Sequence, residues 1–150
     1  MSIYARLEEK NITLNPPPPS VAAFVPFVVT DDLVFLSGHI ARRDGKPWVG
    51  RLGDTMTTAE GKEAARAIGI ELLGTLHAAT GDLSRIRRIV KLTVLVNSAA
   101  TFTEQHLVAN GASELLVDLF GDIGAHTRAA FGVAQIPFGS CVEIELVAAI

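Results

Sequence analysis

A chain of 150 residues with a formal net charge of −3, 49% hydrophobic residues and one cysteine has the length for one domain with a real core. Its acidic balance speaks against a nucleic-acid binder, which normally presents a basic face. Cys141 has no partner for an intrachain disulfide, and no metal site can rest on thiolates.

The opening MSIYARLEEK lacks the apolar core of a signal peptide. No stretch approaches the roughly 18 apolar residues that cross a bilayer. The expectation is a cytoplasmic protein with no membrane partner. IYARLEEKNI suits a short helix that ends before NPPPPS. Pro16 to Pro19 fit neither helix interior nor central strand, so residues 1–20 read as a helix followed by an extended polyproline arm strapped along the protein's own surface. AFVPFVVT and LVFLSGHI are β-rich and flank Asp31-Asp32, a hairpin signature. Pro26 points to an edge or a bulge in the first strand. RRDGKPWVG is a loop with one short strand around Trp48.

Thr57 and Glu60 have capping-box spacing. The helix they open carries Ala65, Ile68, Leu72 and Leu76 on one face and stops at Gly81. RRIVKLTVLVN is a strand with Val90, Leu92, Val94 and Val96 on its apolar face. A second helix from about Thr103 carries Leu107, Val108, Leu115, Leu116 and Leu119, and Gly121 or Gly124 ends it. A closing hairpin turns at IPFG. Arg85–Lys91, RIRRIVK, is the nearest thing to a basic patch; it has no interleaved aromatics and reads as a solvated strand end. The resulting β-β-(β)-α-β-α-β-β order has two helices, which cover one sheet face. The other face calls for a second copy of the chain, so the expected partner is self.

The last hairpin carries Arg128 and the acids Glu143 and Glu145. With a four-residue turn, Ile136–Gly139, strand alternation sets Arg128 on the same face as both acids. An ion pair tethering the hairpin is one reading. The other is a guanidinium that awaits an anion, since arginine grips a carboxylate by two parallel hydrogen bonds, with an acid beside it to orient water or move a proton. Ala129 and Ala130 leave room for a ligand.

From about Phe24 onward the chain resembles the reactive intermediate deaminase superfamily, the YjgF-like proteins also known as endoribonuclease L-PSP or translation inhibitors. The motifs that carry the resemblance are LVFLSGHI, VKLTVLV, the helix from Asn110 through SELL, and the closing R…G.A.IP.G..VEIE. The first twenty-odd residues look like a longer-chain branch, which leaves residues 21–150 as the YjgF-like domain. The resemblance implies an α+β chorismate-mutase-like fold, a mixed sheet with two helices on one face, and a homotrimer whose sheets form an inner barrel with ligand clefts between subunits. It also implies hydrolysis of a 2-imino acid or enamine to a 2-keto acid and ammonia, without metal or cofactor. On this reading Arg128 grips the substrate carboxylate and Glu143 positions the water, while Gly38 and Asn110 line the site. Two positions depart from the family: Phe24 stands where it has tyrosine, and Ala130 where a small thiol is common.

A homotrimer that binds a small carboxylate metabolite without catalysis, as sensor or carrier, is the second reading. A ribonuclease is the third, disfavoured by the acidic pI and the lack of a basic aromatic groove. His39, His77, His106 and His126 show no ligand spacing, so no metal site is expected; His39 and His126 flank the motif residues and are cleft candidates. Cys141 reads as a small core residue, and Trp48 as a loop anchor or a cleft cover.

Overall fold

The computed structural model describes all 150 residues. Helix α1, Ile3–Glu9, is capped by Ser2, whose hydroxyl accepts from the Ala5 amide. It buries Leu7 and is pinned by Arg6, whose Nη1 donates to the Leu119 carbonyl at 2.8 Å. Strands β1, Phe27–Thr30, and β2, Leu33–Ile40, form a hairpin through Asp31-Asp32, with Asp31 at φ 51°. The short pair β3, Arg42–Arg43, and β4, Lys46–Pro47, replaces the single strand expected around Trp48.

Helix α2, Thr58–Thr80, opens with the expected capping box and ends at Gly81 in the left-handed conformation. Strand β5, Arg88–Asn97, helix α3, Gln105–Phe120, and strands β6, Thr127–Val133, and β7, Val142–Ala149, complete the chain. The sheet order is β1-β2-β7-β5-β6, antiparallel except for the parallel β5–β6 pair. The fold is α+β with a mixed sheet. Leu92, Val94, Val96, Ile144 and Leu146 pack fully buried against Ile68, Leu72, Leu76, Leu116 and Leu119 of α2 and α3. The register shifts between Ile89 and Lys91, so Ile89 takes the buried place expected of Val90.

The closing hairpin does not exist. β6 and β7 are not neighbours, because β5 lies between them. Leu92 pairs with Arg128 on one side and Leu146 on the other, while Leu95 pairs with Phe131 and Glu143. Paired residues share a face. Arg128 is therefore on the helix-covered side, and Glu143 and Glu145 are on the opposite side. The parity argument holds only for adjacent strands. Here the chain carries residues 134–141 across the end of β5 before β7 begins.

The uncovered face is apolar in patches. Val28, Phe35 and Phe131 stand exposed on it, with Leu95 and Val147 half-buried between them. Past α1, the arm lies against the helices. A Cβ on Gly74 of α2 would fall on the Asn15 carbonyl oxygen, so the arm's backbone is seated directly on the helix surface there. Ile12 and Leu14 pack against the core beside it.

Candidate functional site

β1 pairs only with Leu33–Leu36, which leaves Ser37–Ile40 without a strand partner on that edge. Ser37 closes part of the gap: its amide donates to the Pro26 carbonyl at 2.9 Å, and its hydroxyl donates to the Val25 carbonyl at 2.6 Å. Beside this edge opens a cavity of about 390 Å³. Its polar wall is Gly38, His39, Arg42, Glu71 and Glu143, and its apolar wall is the arm from Pro17 to Phe24 with Phe138.

Glu143 sits over Gly38 so closely that a Cβ there would lie 2.5 Å from its Oε1. Burial pushes the Glu143 carboxyl above its ordinary value, and repulsion from Glu145 adds to this. Burial also raises Glu71, opposed by the nearby Arg42 guanidinium. His39 is fixed at both ring nitrogens, to the Ser37 carbonyl at 2.7 Å and the Thr75 hydroxyl at 2.7 Å. A carbonyl only accepts, so Nδ1 carries the proton and Nε2 accepts from Thr75. Burial, the largest effect on His39, holds it below the usual imidazole range. His39 thus enters the cavity wall as a neutral ring.

Arg128 is elsewhere, on the opposite edge strand. Its Nη1 donates to Asn110 Oδ1 at 2.8 Å and Ser113 Oγ at 3.1 Å, and its Nη2 donates to the His106 carbonyl at 3.1 Å. Ser113 also meets His126 Nε2 at 2.9 Å, while His126 Nδ1 contacts the Gly124 carbonyl at 2.6 Å. Nδ1 must donate to that carbonyl, so the Ser113 hydroxyl donates to Nε2 and its oxygen is left to accept from Arg128. Helix α3 thereby holds an exposed guanidinium by three oxygen acceptors, none of them charged. Neither ion pair of the chain, Lys10–Asp118 nor Lys62–Glu114, involves it.

Of the residues expected from sequence, Phe24, Gly38 and Glu143 meet in the cavity, and Arg128 and Asn110 meet on α3 and β6. Asn110 braces the arginine rather than facing the cavity. Ala130 packs against the core two residues beyond Arg128. The two groups are separated by β5 and by the sheet itself: β6 lies two strand spacings from β7, about 10 Å, and Glu143 faces the other way. Sequence reading missed Arg42 and Glu71. Glu71 had a signal, as the one acid between Arg66 and Asp82 in an otherwise apolar helix stretch. Cys141 is fully buried, and burial pushes its thiol up to about 11; it is core, not nucleophile. Trp48 carries Arg43 over its ring at 5.0 Å. No group of three or more His, Cys, Asp or Glu side chains is placed to hold a metal, and no helix is long and apolar enough to cross a membrane.

A mixed five-stranded sheet backed by two long helices, with an acid-lined cavity at one edge and a braced arginine at the other, defines a small α+β domain. Residues 5–150 match the family described as "YjgF/chorismate_mutase-like, putative endoribonuclease", and the chain belongs to that family. It is 41% identical over 145 residues to Protein TCP17 of Trypanosoma cruzi, covering 95% of this chain and 91% of that one. The crystal structure of Atu1372, of unknown function, from Agrobacterium tumefaciens superposes with a TM-score of 0.90 at 39% identity, over 99% of this chain and 92% of that one. RidA from the Antarctic bacterium Psychrobacter sp. PAMC 21119 superposes at 0.60 with 27% identity, over 93% of this chain and 98% of its own.

Proposed function

We propose that the protein is a cofactor-independent deaminase of 2-imino acids or their enamines, working as a homotrimer whose site is shared between copies. Arg128 carries this reading. It is a guanidinium braced by neutral acceptors and left without a carboxylate, which is how a protein holds a cation ready for an external anion. The acid suited to move a proton, Glu143, lies two strands away on the opposite face of the same sheet, so one chain cannot apply both groups to one small molecule. A head-to-tail ring brings the Arg128 edge of one copy to the Glu143 cavity of the next. It also covers the exposed Val28, Phe35 and Phe131.

The reaction follows from these parts. Arg128 holds the carboxylate of the iminium. Water adds its oxygen to C2 and gives a proton to Glu143, whose raised proton affinity suits it to accept one. Glu143 returns that proton to the nitrogen of the carbinolamine. The C–N bond breaks, its electron pair leaves with ammonia, and the hydroxyl proton follows as the C=O forms. The iminium carbon is already electrophilic, so placing the water supplies much of what is needed.

The test generates imino acids with an amino-acid oxidase and traps them with semicarbazide. Wild type lowers the trapped product. Glu143→Gln loses about 10²–10⁴-fold in rate and keeps its affinity for a 2-keto acid. A wild type that binds keto acids but spares every imine overturns the deaminase reading in favour of a carboxylate-binding trimer. The apolar Phe24 in the cavity is the observation that favours that second reading, because it offers no hydroxyl to the substrate.

A further inference from the structure

We infer that the substrate carries a bulky apolar side chain, aromatic for preference, and that the polyproline arm is the wall that recognises it; this rests on the deaminase reading of the same site. Space is the first argument. At roughly 30 Å³ per water, about 390 Å³ holds about thirteen waters, far more room than a three-carbon imino acid takes up. The size falls in the range of roughly 300–1,000 Å³ that suits larger ligands.

The layout of the walls is the second. The groups that do chemistry crowd one side, around Gly38 and Glu143. Much of the remaining lining is Pro17, Pro18, Pro19, Val21, Phe24 and Phe138, which bring no charge to the cavity. Large apolar side chains are seldom left in water without a use when they converge on one concavity. Here Val21 is 74% exposed, Phe138 63% and Phe24 50%.

The arm is also held in place rather than draped there. Upstream it is fixed by Asn15 on Gly74 and by Leu14 packed against the core. Downstream a turn holds it: the Ser20 hydroxyl donates to the Ala22 carbonyl at 2.9 Å, and the Phe24 amide donates to the same carbonyl at 2.9 Å. Prolines add stiffness between these anchors. Phe138 lines the same cavity from a left-handed backbone, φ 63°, a conformation a non-glycine residue adopts at a cost. That strain aims an aromatic ring at the cavity.

The experiment compares imines made in situ from phenylalanine and from alanine. Wild type is expected to favour the phenylalanine-derived imine by about tenfold or more in kcat/KM. Phe138→Ala and Val21→Ala, both exposed and so expected to fold, each lower that ratio by about three- to tenfold. A wild type that treats both imines alike, or prefers the alanine-derived one, overturns the inference and leaves the deaminase reading standing. If no imine is consumed, the deaminase reading falls, and calorimetry with phenylpyruvate and pyruvate decides the inference alone. Phenylpyruvate binding about tenfold tighter, with the advantage lost in Phe138→Ala, sustains it; equal affinities, or an advantage untouched by either variant, overturn it.

Discussion

Gly38→Ala separates the position of the Glu143 carboxylate from the stability of the fold. The new Cβ would lie 2.5 Å from Glu143 Oε1, 3.0 Å from Cδ and 3.2 Å from Cγ. Gly38 has no left-handed φ, so alanine brings no backbone strain. Replacing a strand glycine gains roughly 0.5–1 kcal/mol. The obstacle is the end of a flexible side chain, so the carboxylate swings aside at a similar cost. Net stability stays within about 1 kcal/mol, a melting shift of about 2–4 °C. To reach ordinary contact at 3.4 Å the oxygen moves by about 1 Å, and misplacement on that scale costs about 10²-fold in rate. In the semicarbazide assay, Gly38→Ala falls toward the level of Glu143→Gln, and the double variant loses little more. A second readout is independent of catalysis. Glu143 is raised above its ordinary value of 4.5, by burial first and by Glu145 second. Its contribution to stability is therefore fully present below 4.5 and is lost as pH rises through the folded value. A carboxylate pushed toward water has less to lose, so urea melts of Gly38→Ala show a flatter decline across that window. Full activity together with an unchanged pH profile refutes the placement of Glu143.

Arg128→Ala weakens 2-keto acid binding by about ten- to hundredfold in calorimetry, and Asn110→Ala by less, because Asn110 acts through the arginine; unchanged affinity in Arg128→Ala removes that residue from the site. Phe131→Asp puts a charge on the uncovered sheet face, and sedimentation equilibrium is expected to show monomer where wild type shows trimer; a wild type that sediments as a folded monomer refutes the shared site. Gly74→Ala gains about 1 kcal/mol of helix propensity but drives a Cβ into the Asn15 backbone, an overpacking cost of about 1–3 kcal/mol. Urea melts should show net destabilisation, whereas a gain of about 1 kcal/mol shows that the arm is not seated on α2.

What was legible in the sequence was short-range. The Thr57–Glu60 box, the Gly81 stop and the Asp31-Asp32 turn each depend on residues within a few positions, and each stands where local chemistry puts it. The apolar alternation of Leu92, Val94 and Val96 likewise marks a buried face. The β6–β7 pairing failed for the opposite reason. A closing hairpin requires consecutive strands to be neighbours, and nothing local in residues 134–141 announces that β5 intervenes. Four prolines announce an extended arm but not its berth. The berth is written at Gly74, which in sequence reads only as a weak spot in a helix. Glu71 and Arg42 join the cavity through the packing of α2 against the sheet edge, a long-range fact that no spacing rule reaches. The resemblance to a family singles out Arg128 and Glu143 as a pair, but not that the fold sets them on opposite faces.

That separation also answers what each charge does in a single chain. Arg128 costs little there, since it is exposed and its bonds run to neutral oxygens. Glu143 costs more, being half-buried with Glu145 two residues along the same face. A cation brought to the cavity offsets the cost on Glu143, because an opposite charge within a few ångströms favours the ionised carboxylate. The guanidinium of a second copy and the iminium of a substrate are both such cations, and each lowers the proton affinity of Glu143 as it arrives. On the proposed mechanism the arriving iminium therefore finds Glu143 ionised and able to take the proton of the adding water. Addition neutralises the nitrogen, which is then the base that receives the proton back from Glu143 before ammonia departs.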